Sequence, residues 1–221
     1  MTFYALTALI NVIASIFLGF FVYIQNAKKL THKMFALFCL AVAIWSYAYF
    51  LWQTSTTAST ALLWSHILMA GAIFIPLFYL HFILALLNKT KENKKFLTFG
   101  YFLLSLFFLA NFSPWFIKGI GPKLDFAFWP DAGIIFLPFL AVWFFYAVYA
   151  IYILIKERAK VPKAEQGQIM YILIGTIIGY LGGATNYLLW YNIPYGIVYH
   201  KLYINLLVFT KKFAIVALPL P

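Results

Sequence analysis

The sequence predicts an all-α fold, a polytopic helical bundle in a membrane, from its charge spacing, its composition and the placement of its basic residues. From residue 34 to residue 88 there is no Lys, Arg, Asp or Glu, and only a polar patch at 53–57 interrupts the apolar run. Because a membrane-spanning helix needs ~20 apolar residues, this run can hold two helices joined by an uncharged turn. The chain is 65% hydrophobic and 10% charged, which leaves too little polar surface for a water-soluble fold.

Six apolar blocks lie between the charged segments, and each is predicted to cross the bilayer as a helix: residues 3–23, 34–52, 61–87, 96–111, 134–155 and 169–191. The blocks lack the alternating polarity of barrel strands, and a helix satisfies its own backbone hydrogen bonds in lipid. The first block has no basic start and no small-residue cleavage site, so we interpret it as a helix rather than a signal peptide. A seventh helix is expected after Pro194, although its uncharged core, 202–210, is short.

The charges of the connecting segments alternate along the chain. Basic residues follow the first, third and fifth blocks, whereas the second and sixth blocks end in uncharged turns and the fourth is followed by a segment of balanced charge. By the positive-inside rule, the basic loops are cytoplasmic. The amino terminus is therefore expected outside, and a seventh helix would bring the carboxyl terminus, with Lys211 and Lys212, to the cytoplasm.

The longest outer segment, residues 113–133, is rich in Pro, Gly and aromatic residues, Trp129 among them. Two interpretations of this segment stay open. Its aromatic side chains could rest among the lipid headgroups, where Trp and Tyr are enriched. Alternatively, the segment could form a lid over an external cavity, because long ordered loops often carry function.

The polar residues exclude several classes of function. The six blocks contain no Asp or Glu, which disfavours proton-coupled transport through a buried carboxylate and hydrolysis by a carboxylate pair. Lys201 has no carboxylate counter-ion for a retinal Schiff base, and the single cysteine, Cys39, excludes a disulfide framework and disfavours a zinc cluster. The net charge of +11 comes from short loops, so no nucleic-acid partner is expected. The sequence predicts no metal and no cofactor.

A few residues within the blocks are candidates for contact with a ligand. His66 and His81 lie about four helical turns apart in the third block, so they cannot share one metal ion. His66 is expected near the outer end, either as a contact for an external ligand or as an interfacial histidine. Trp45 and Tyr49 of the second block are expected to contact either a ligand or the other helices of the bundle.

Small residues and a proline mark candidate packing and hinge positions. Pro76 lacks an N–H and is expected to kink the third helix, which would create a hinge or a pocket. Thr185 and Asn186 are ligand candidates, because an amide in an apolar helix needs a polar partner. One face of the sixth block carries four glycines that predict close packing against another helix: Gly175, Gly179, Gly182 and Gly183.

Several motifs follow one another in an order that carries a family resemblance. They are Trp45, then Gly71, Pro76 and His81-Phe82, the Gly-Ile-Gly-Pro-Lys-Leu segment at 119–124, the turn from Trp129 to Gly133, Gln168, the run from Gly175 through Asn186 to Leu188, and Ile193-Pro194. Together, over about residues 3–196, they resemble the amino-terminal seven-transmembrane sensor module of bacterial histidine kinases.

The resemblance implies an input module without catalytic residues, which perceives a signal in or outside the membrane and relays a helix rearrangement to a cytoplasmic output domain. It implies a multi-pass protein of the bacterial inner membrane, a single domain over residues 1–221. Its expected partners are the lipid bilayer, a small ligand or a membrane-derived signal, and a cytoplasmic kinase or other output protein. Whether the module forms a homodimer stays open. Residues 197–221 diverge from the family's seventh helix, and because the chain carries no kinase motifs, no enzymatic activity is expected.

Two other functions are alternatives to a sensor. A small transporter or permease subunit for an uncharged or hydrophobic solute would be favoured by internal repeat symmetry, which the sequence does not show. A membrane-embedded enzyme would need clustered polar groups within the blocks, and none is evident in the pattern.

Overall fold

A computed structural model describes residues 3–193, apart from the side chain of Ala164. This part of the chain folds into six α-helices and one β-hairpin. In chain order they are α1 (Phe3–Gln25), α2 (Leu30–Gln53), α3 (Ala58–Leu86), α4 (Lys94–Ala110), β1 (Ile117–Lys123), β2 (Phe126–Ala132), α5 (Phe136–Arg158) and α6 (Lys163–Leu188), and the 3-10 turn Leu189–Tyr191 follows. The expected seventh helix and the divergent segment 197–221 lie outside the described residues, as do Pro194, Lys201, Lys211 and Lys212.

Five helices within residues 3–193 are long and apolar enough to cross a membrane. They are α1, α2, α3, α5 and the segment Glu165–Tyr191, which contains most of α6. The fourth predicted span is not among them, because α4 has only 17 residues and rises about 25 Å, less than the ~30 Å of a hydrocarbon core. Lys94 and Lys95 begin this helix and Asn111 caps its end, which sets its length.

The described residues are mostly helical, as the predicted helical bundle requires, but the outer segment between α4 and α5 forms a β-hairpin that the all-α prediction did not include. β1 and β2 pair antiparallel, with Gly121 opposite Trp129 and Lys123 opposite Phe126, and Leu124 makes the turn with a positive φ of 51°. A two-stranded hairpin satisfies part of its backbone by itself but needs packing against another element for stability. The aromatic residues of β2 favour a strand and supply that packing.

The described residues fall into two compact units that divide within α5, between Tyr146 and Ala147. In the first unit, α2 packs against both α1 and α3, and the hairpin packs against α3. The connections at residues 26–29 and 54–57 are short, so these three helices run antiparallel to their neighbours. We call the end that carries the 54–57 turn and the hairpin the hairpin end, and the end that carries the 26–29 and 87–93 connections the lysine end.

The core of the first unit is built around α3. Met69, Ile73, Leu77 and Leu80 of this helix are all completely buried. The first part of α5 is tied to α3 by the indole N–H of Trp143, which donates to a backbone carbonyl of α3 at 3.1 Å. α1, in contrast, exposes a broad apolar face, as expected of a helix that contacts lipid.

One polar pair joins α1 to α2 within this apolar core. The amide of Asn11 donates to the hydroxyl of Ser46 at 2.7 Å, and both side chains are buried. Because each group satisfies the other, the pair removes the cost of placing two polar side chains in an apolar bundle.

Gly71 allows α2 and α3 to approach closely. A Cβ at this position would lie 2.8 Å from the carbonyl oxygen of Ala41 and 2.9 Å from the backbone nitrogen of Trp45. Real side chains do not tolerate such distances to a backbone, so only glycine fits this crossing.

The second unit comprises the end of α5 and α6 with its 3-10 turn. Lys160 pairs with Glu157 at 3.0 Å, and the ammonium of Lys156 lies 5.6 Å from the centre of the Tyr152 ring. Within α6, the hydroxyl of Thr176 donates to the carbonyl of Ile172 one turn earlier, at 2.6 Å. These contacts are all local along the chain.

Candidate functional site

An aromatic column runs along the half of α2 nearer the hairpin and continues into β2. Trp45, Tyr49 and Trp52 recur at helical spacing on one face of α2, and neighbouring ring centres lie 5.8 Å and 5.1 Å apart. Trp52 meets Trp129 at 4.7 Å in a T-shaped arrangement, and Trp129 meets Phe126 at 4.7 Å. These five residues, the aromatic column, therefore link the interior of the helical bundle to the hairpin.

The hairpin is also bonded to α2 directly. The indole N–H of Trp52 donates to the backbone carbonyl of Phe128 at 2.9 Å, and only 4% of Trp52 is exposed. The backbone of β2 is thus hydrogen-bonded to a side chain in the last turn of α2. Movement of β2 must either break this hydrogen bond or carry the end of α2 with it.

An ion pair and a third helix hold the hairpin in place. The ammonium of Lys123 lies 2.6 Å from a carboxylate oxygen of Asp131 and donates to the carbonyl of Pro130 at 3.0 Å. Only 8% of the Lys123 side chain is exposed, whereas the Asp131 side chain is 40% exposed, so the lysine is buried and the carboxylate faces solvent. At the edge of the hairpin, Phe126 contacts Tyr4 of α1 with ring centres 5.5 Å apart.

The base of the hairpin is closed by a glycine. The backbone N–H of Gly133 donates to the carbonyl of Phe116 at 2.9 Å, and a Cβ at this glycine would overlap the carbonyl of Trp115. The rings of Phe116, Phe136 and Phe139 lie beneath this closure and are completely buried. The base of the hairpin thus packs into the core of the first unit.

Trp129 has a buried donor at the centre of the aromatic column. It is 3% exposed, and its indole N–H finds no acceptor among the described residues. A buried donor of this kind favours an acceptor atom brought by a ligand or a water molecule. The column is therefore suited to a flat, uncharged molecule held by ring contacts and one hydrogen bond.

His66 makes its contacts with α4 rather than with the aromatic column. Its backbone carbonyl accepts a hydrogen bond of 2.8 Å from the amide of Asn111, and its ring lies 5.7 Å from the ring of Phe112. Asn111 is completely buried. The Nδ1 of His66 and the Oδ1 of Asn111 are both buried without a hydrogen-bond partner among the described residues, so this pair is a second polar position at the hairpin end.

His81 lies toward the other end of α3, where the sequence placed it. Its Nδ1 forms a hydrogen bond of 2.8 Å with the hydroxyl of Tyr101 in α4. The interpretation of His81 as an internally hydrogen-bonded histidine agrees with this contact.

The helix α3 continues through Pro76, which is buried within it. Neighbouring helices can repair the carbonyl that a proline leaves without a donor, and this keeps the helix continuous. The role of Pro76 as a hinge stays a prediction.

The candidate residues of α6 lie in the second unit. Thr185 donates to the carbonyl of Gly182 at 2.6 Å, so its hydroxyl serves the helix backbone. The amide nitrogen of Asn186 is buried and has no partner among the described residues. A Cβ at Gly183 would meet nothing within 4 Å, and the packing role of Gly175, Gly179, Gly182 and Gly183 stays a prediction.

Three of the six ligand candidates, Trp45, Tyr49 and Trp129, thus belong to one aromatic column. Sequence reasoning missed Trp52, which connects them, although its spacing of three residues from Tyr49 indicates the same helical face. It also missed Asn111 and Ser46, whose partners lie in other helices. Within the part of the chain that the structure describes, no group of three His, Cys, Asp or Glu residues could hold a metal ion.

Comparison with known proteins adds one finding. A family model described as the N-terminal 7TM region of histidine kinase matches residues 7–218. The match spans almost the whole chain and continues past residue 196, where the motifs noted in the sequence end. No curated protein matches the chain. The match and the five apolar helices together make this a multi-pass membrane protein.

Proposed function

Since the chain belongs to the family of N-terminal 7TM regions of histidine kinases, we propose that it is the sensory input module of a bacterial signal-transduction protein. It perceives a stimulus at the hairpin end and relays it through a rearrangement of its helices to a cytoplasmic output partner, a histidine kinase or a related protein. The family model covers the sensor region and not a catalytic kinase domain, which supports an input role without enzymatic activity.

The orientation in the bacterial inner membrane follows from the charges. The lysine end faces the cytoplasm by the positive-inside rule, and the amino terminus and the hairpin face outward. A seventh helix returns the chain to the inside, so the carboxyl terminus is cytoplasmic. The stimulus and the output partner are then on opposite sides of the bilayer.

The observation that carries the proposal is the hydrogen bond from Trp52 to the carbonyl of Phe128. It connects an outward hairpin to α2, a helix that runs from the hairpin end to the lysine end. A stimulus can shift the balance between two helix arrangements only if it stabilises them unequally. A ligand that displaces β2 from Trp52 has this property, because it breaks contacts that only one arrangement contains.

The ligand positions that we propose are the aromatic column, through Trp45, Tyr49 and Trp129, and the position at His66. The buried indole N–H of Trp129 favours an acceptor atom, and the surrounding rings favour a flat, uncharged molecule. In the second unit, Asn186 and Thr185 are the corresponding candidates. Pro76 and the glycines of α6 are the places where two packings of the helices are proposed to differ.

The test is a fusion of the full chain, after Pro221, to the dimerisation and catalytic region of a histidine kinase, reconstituted in lipid vesicles. Trp52→Phe keeps an aromatic ring but removes the N–H that bonds to the hairpin. Autophosphorylation should change several-fold in this variant, because allosteric couplings of about 1–3 kcal/mol shift populations about 5- to 150-fold.

The matched control is Trp115→Phe, since Trp115 is 69% exposed and its indole makes no described hydrogen bond. This variant should retain the autophosphorylation rate of the unaltered fusion. The proposal is wrong if the fused kinase is active and Trp52→Phe has the same rate as Trp115→Phe.

A further inference from the structure

Six exposed lysines lie at one end of the first unit. Their positions flank the α1–α2 and α3–α4 connections, and we call them the lysine face: Lys28, Lys29, Lys33, Lys91, Lys94 and Lys95. The only carboxylate in residues 26–33 and 87–95 is that of Glu92, and it lies 3.6 Å from Lys89, which is not one of the six. The lysine face therefore carries a positive charge that its own two connections do not neutralise.

Packing of α2 against α3 brings the two groups of lysines to the same end. Phe35, near the start of α2, contacts Phe82, near the end of α3, with ring centres 5.3 Å apart. One turn further in, Phe38 contacts Tyr79 at 5.2 Å. The lysines that begin α2 and those that begin α4 thus project from one surface.

The connections are too short to carry these lysines far from the bilayer. Residues 26–29 join α1 to α2, and residues 87–93 join α3 to α4. Lys33 lies in the first turn of α2, and Lys94 and Lys95 lie in the first turn of α4. Because a lysine extends its charge along the apolar stem toward water, the six ammonium groups lie at the level of the lipid headgroups.

From this placement we propose that the lysine face binds the headgroups of anionic phospholipids. Clusters of four to eight basic residues directly beside membrane helices attract anionic lipid, at about fivefold for each lysine. A nucleic acid or a soluble acidic protein would have to enter the headgroup layer to reach these charges, whereas anionic phospholipids are already there. The proposal does not depend on the sensory function.

The experiment measures which lipids remain bound to the purified full chain in nanodiscs of mixed phosphatidylcholine and phosphatidylglycerol, by native mass spectrometry. We expect the ratio of bound phosphatidylglycerol to bound phosphatidylcholine to exceed the bulk ratio about tenfold at low salt, and this enrichment should disappear as the salt concentration rises. Replacing all six lysines with Gln should reduce the enrichment to less than about twofold, and replacing them with Arg should preserve it.

Two further variants remove fewer charges at once, so they are less disturbing to membrane insertion than the sixfold replacement. Each variant replaces only one group of three lysines with Gln, either those at 28, 29 and 33 or those at 91, 94 and 95. Each should give an enrichment between those of the unaltered chain and the sixfold variant. Lys118→Gln, an exposed lysine of the hairpin, should leave it unchanged. Equal retention of both lipids by the unaltered chain would overturn the proposal, and so would binding of a polyglutamate peptide without a preference for phosphatidylglycerol.

Discussion

Replacing Trp52 with Phe should release the hairpin from α2. The substitution removes the hydrogen bond of 2.9 Å to the carbonyl of Phe128 and leaves a smaller ring against Trp129. A net hydrogen bond contributes about 0.5–1.5 kcal/mol, and the smaller ring loses part of an aromatic contact of about the same size, so the closed hairpin should be destabilised by about 1–2 kcal/mol. The population of the open hairpin should then rise about 5- to 30-fold.

Hydrogen–deuterium exchange of the chain in nanodiscs measures this population directly. Amides of residues 117–132 should exchange faster in Trp52→Phe, whereas amides in the middle of α3 should exchange at the original rate. Trp115→Phe controls for the loss of an indole near the same hairpin, because its ring is exposed. Equal protection of the hairpin in the two variants would refute the reasoning that Trp52 holds it.

Three further experiments test the packing of the first unit. Gly71→Ala should lower the free energy of unfolding by about 1–3 kcal/mol in a thermal unfolding assay in detergent, because its Cβ would lie 2.8 Å from a backbone carbonyl oxygen of α2. Gly121→Ala is the control, since its Cβ would have no atom within 4 Å, and it should leave the stability unchanged. A double-mutant cycle of Asn11→Ala and Ser46→Ala should give a coupling of about 0.5–1.5 kcal/mol; additive losses would contradict the buried pair. Tyr101→Phe removes the hydroxyl that lies 2.8 Å from the Nδ1 of His81, and it should lower the free energy of unfolding by about 1 kcal/mol in the same assay. An unchanged unfolding midpoint would contradict this prediction.

The membrane helices could be predicted from the sequence because the bilayer imposes a length of apolar residues on each of them. The predicted block 3–23 corresponds to α1, Phe3–Gln25, and the block 61–87 to α3, Ala58–Leu86. α4 differs because lysines lie inside its first turn, and these residues were assigned to the loop. Helix ends depend on capping and on neighbouring elements, which a hydrophobic pattern does not contain.

The hairpin could not be predicted by the same reasoning. Its strands are short, are interrupted by Pro122 and Pro130, and depend for stability on Trp52 and Tyr4, which are distant in sequence. Partners of single polar side chains were missed for the same reason. The amide of Asn111, for example, bonds to a carbonyl 45 residues earlier in the chain, and one sequence gives no signal for such a pair.

Membrane orientation is the most direct test of the account, because a sensor of this kind must face outward with its hairpin and inward with its carboxyl terminus. Reporters that are active only in the cytoplasm would be fused after Ser55, after Lys163 and after Pro221, in three separate fusion proteins expressed in living cells. We expect an inactive reporter at Ser55 and active reporters at Lys163 and Pro221. An inactive reporter at Pro221, with an active one at Lys163, would contradict the claim that this chain passes a signal to a cytoplasmic partner.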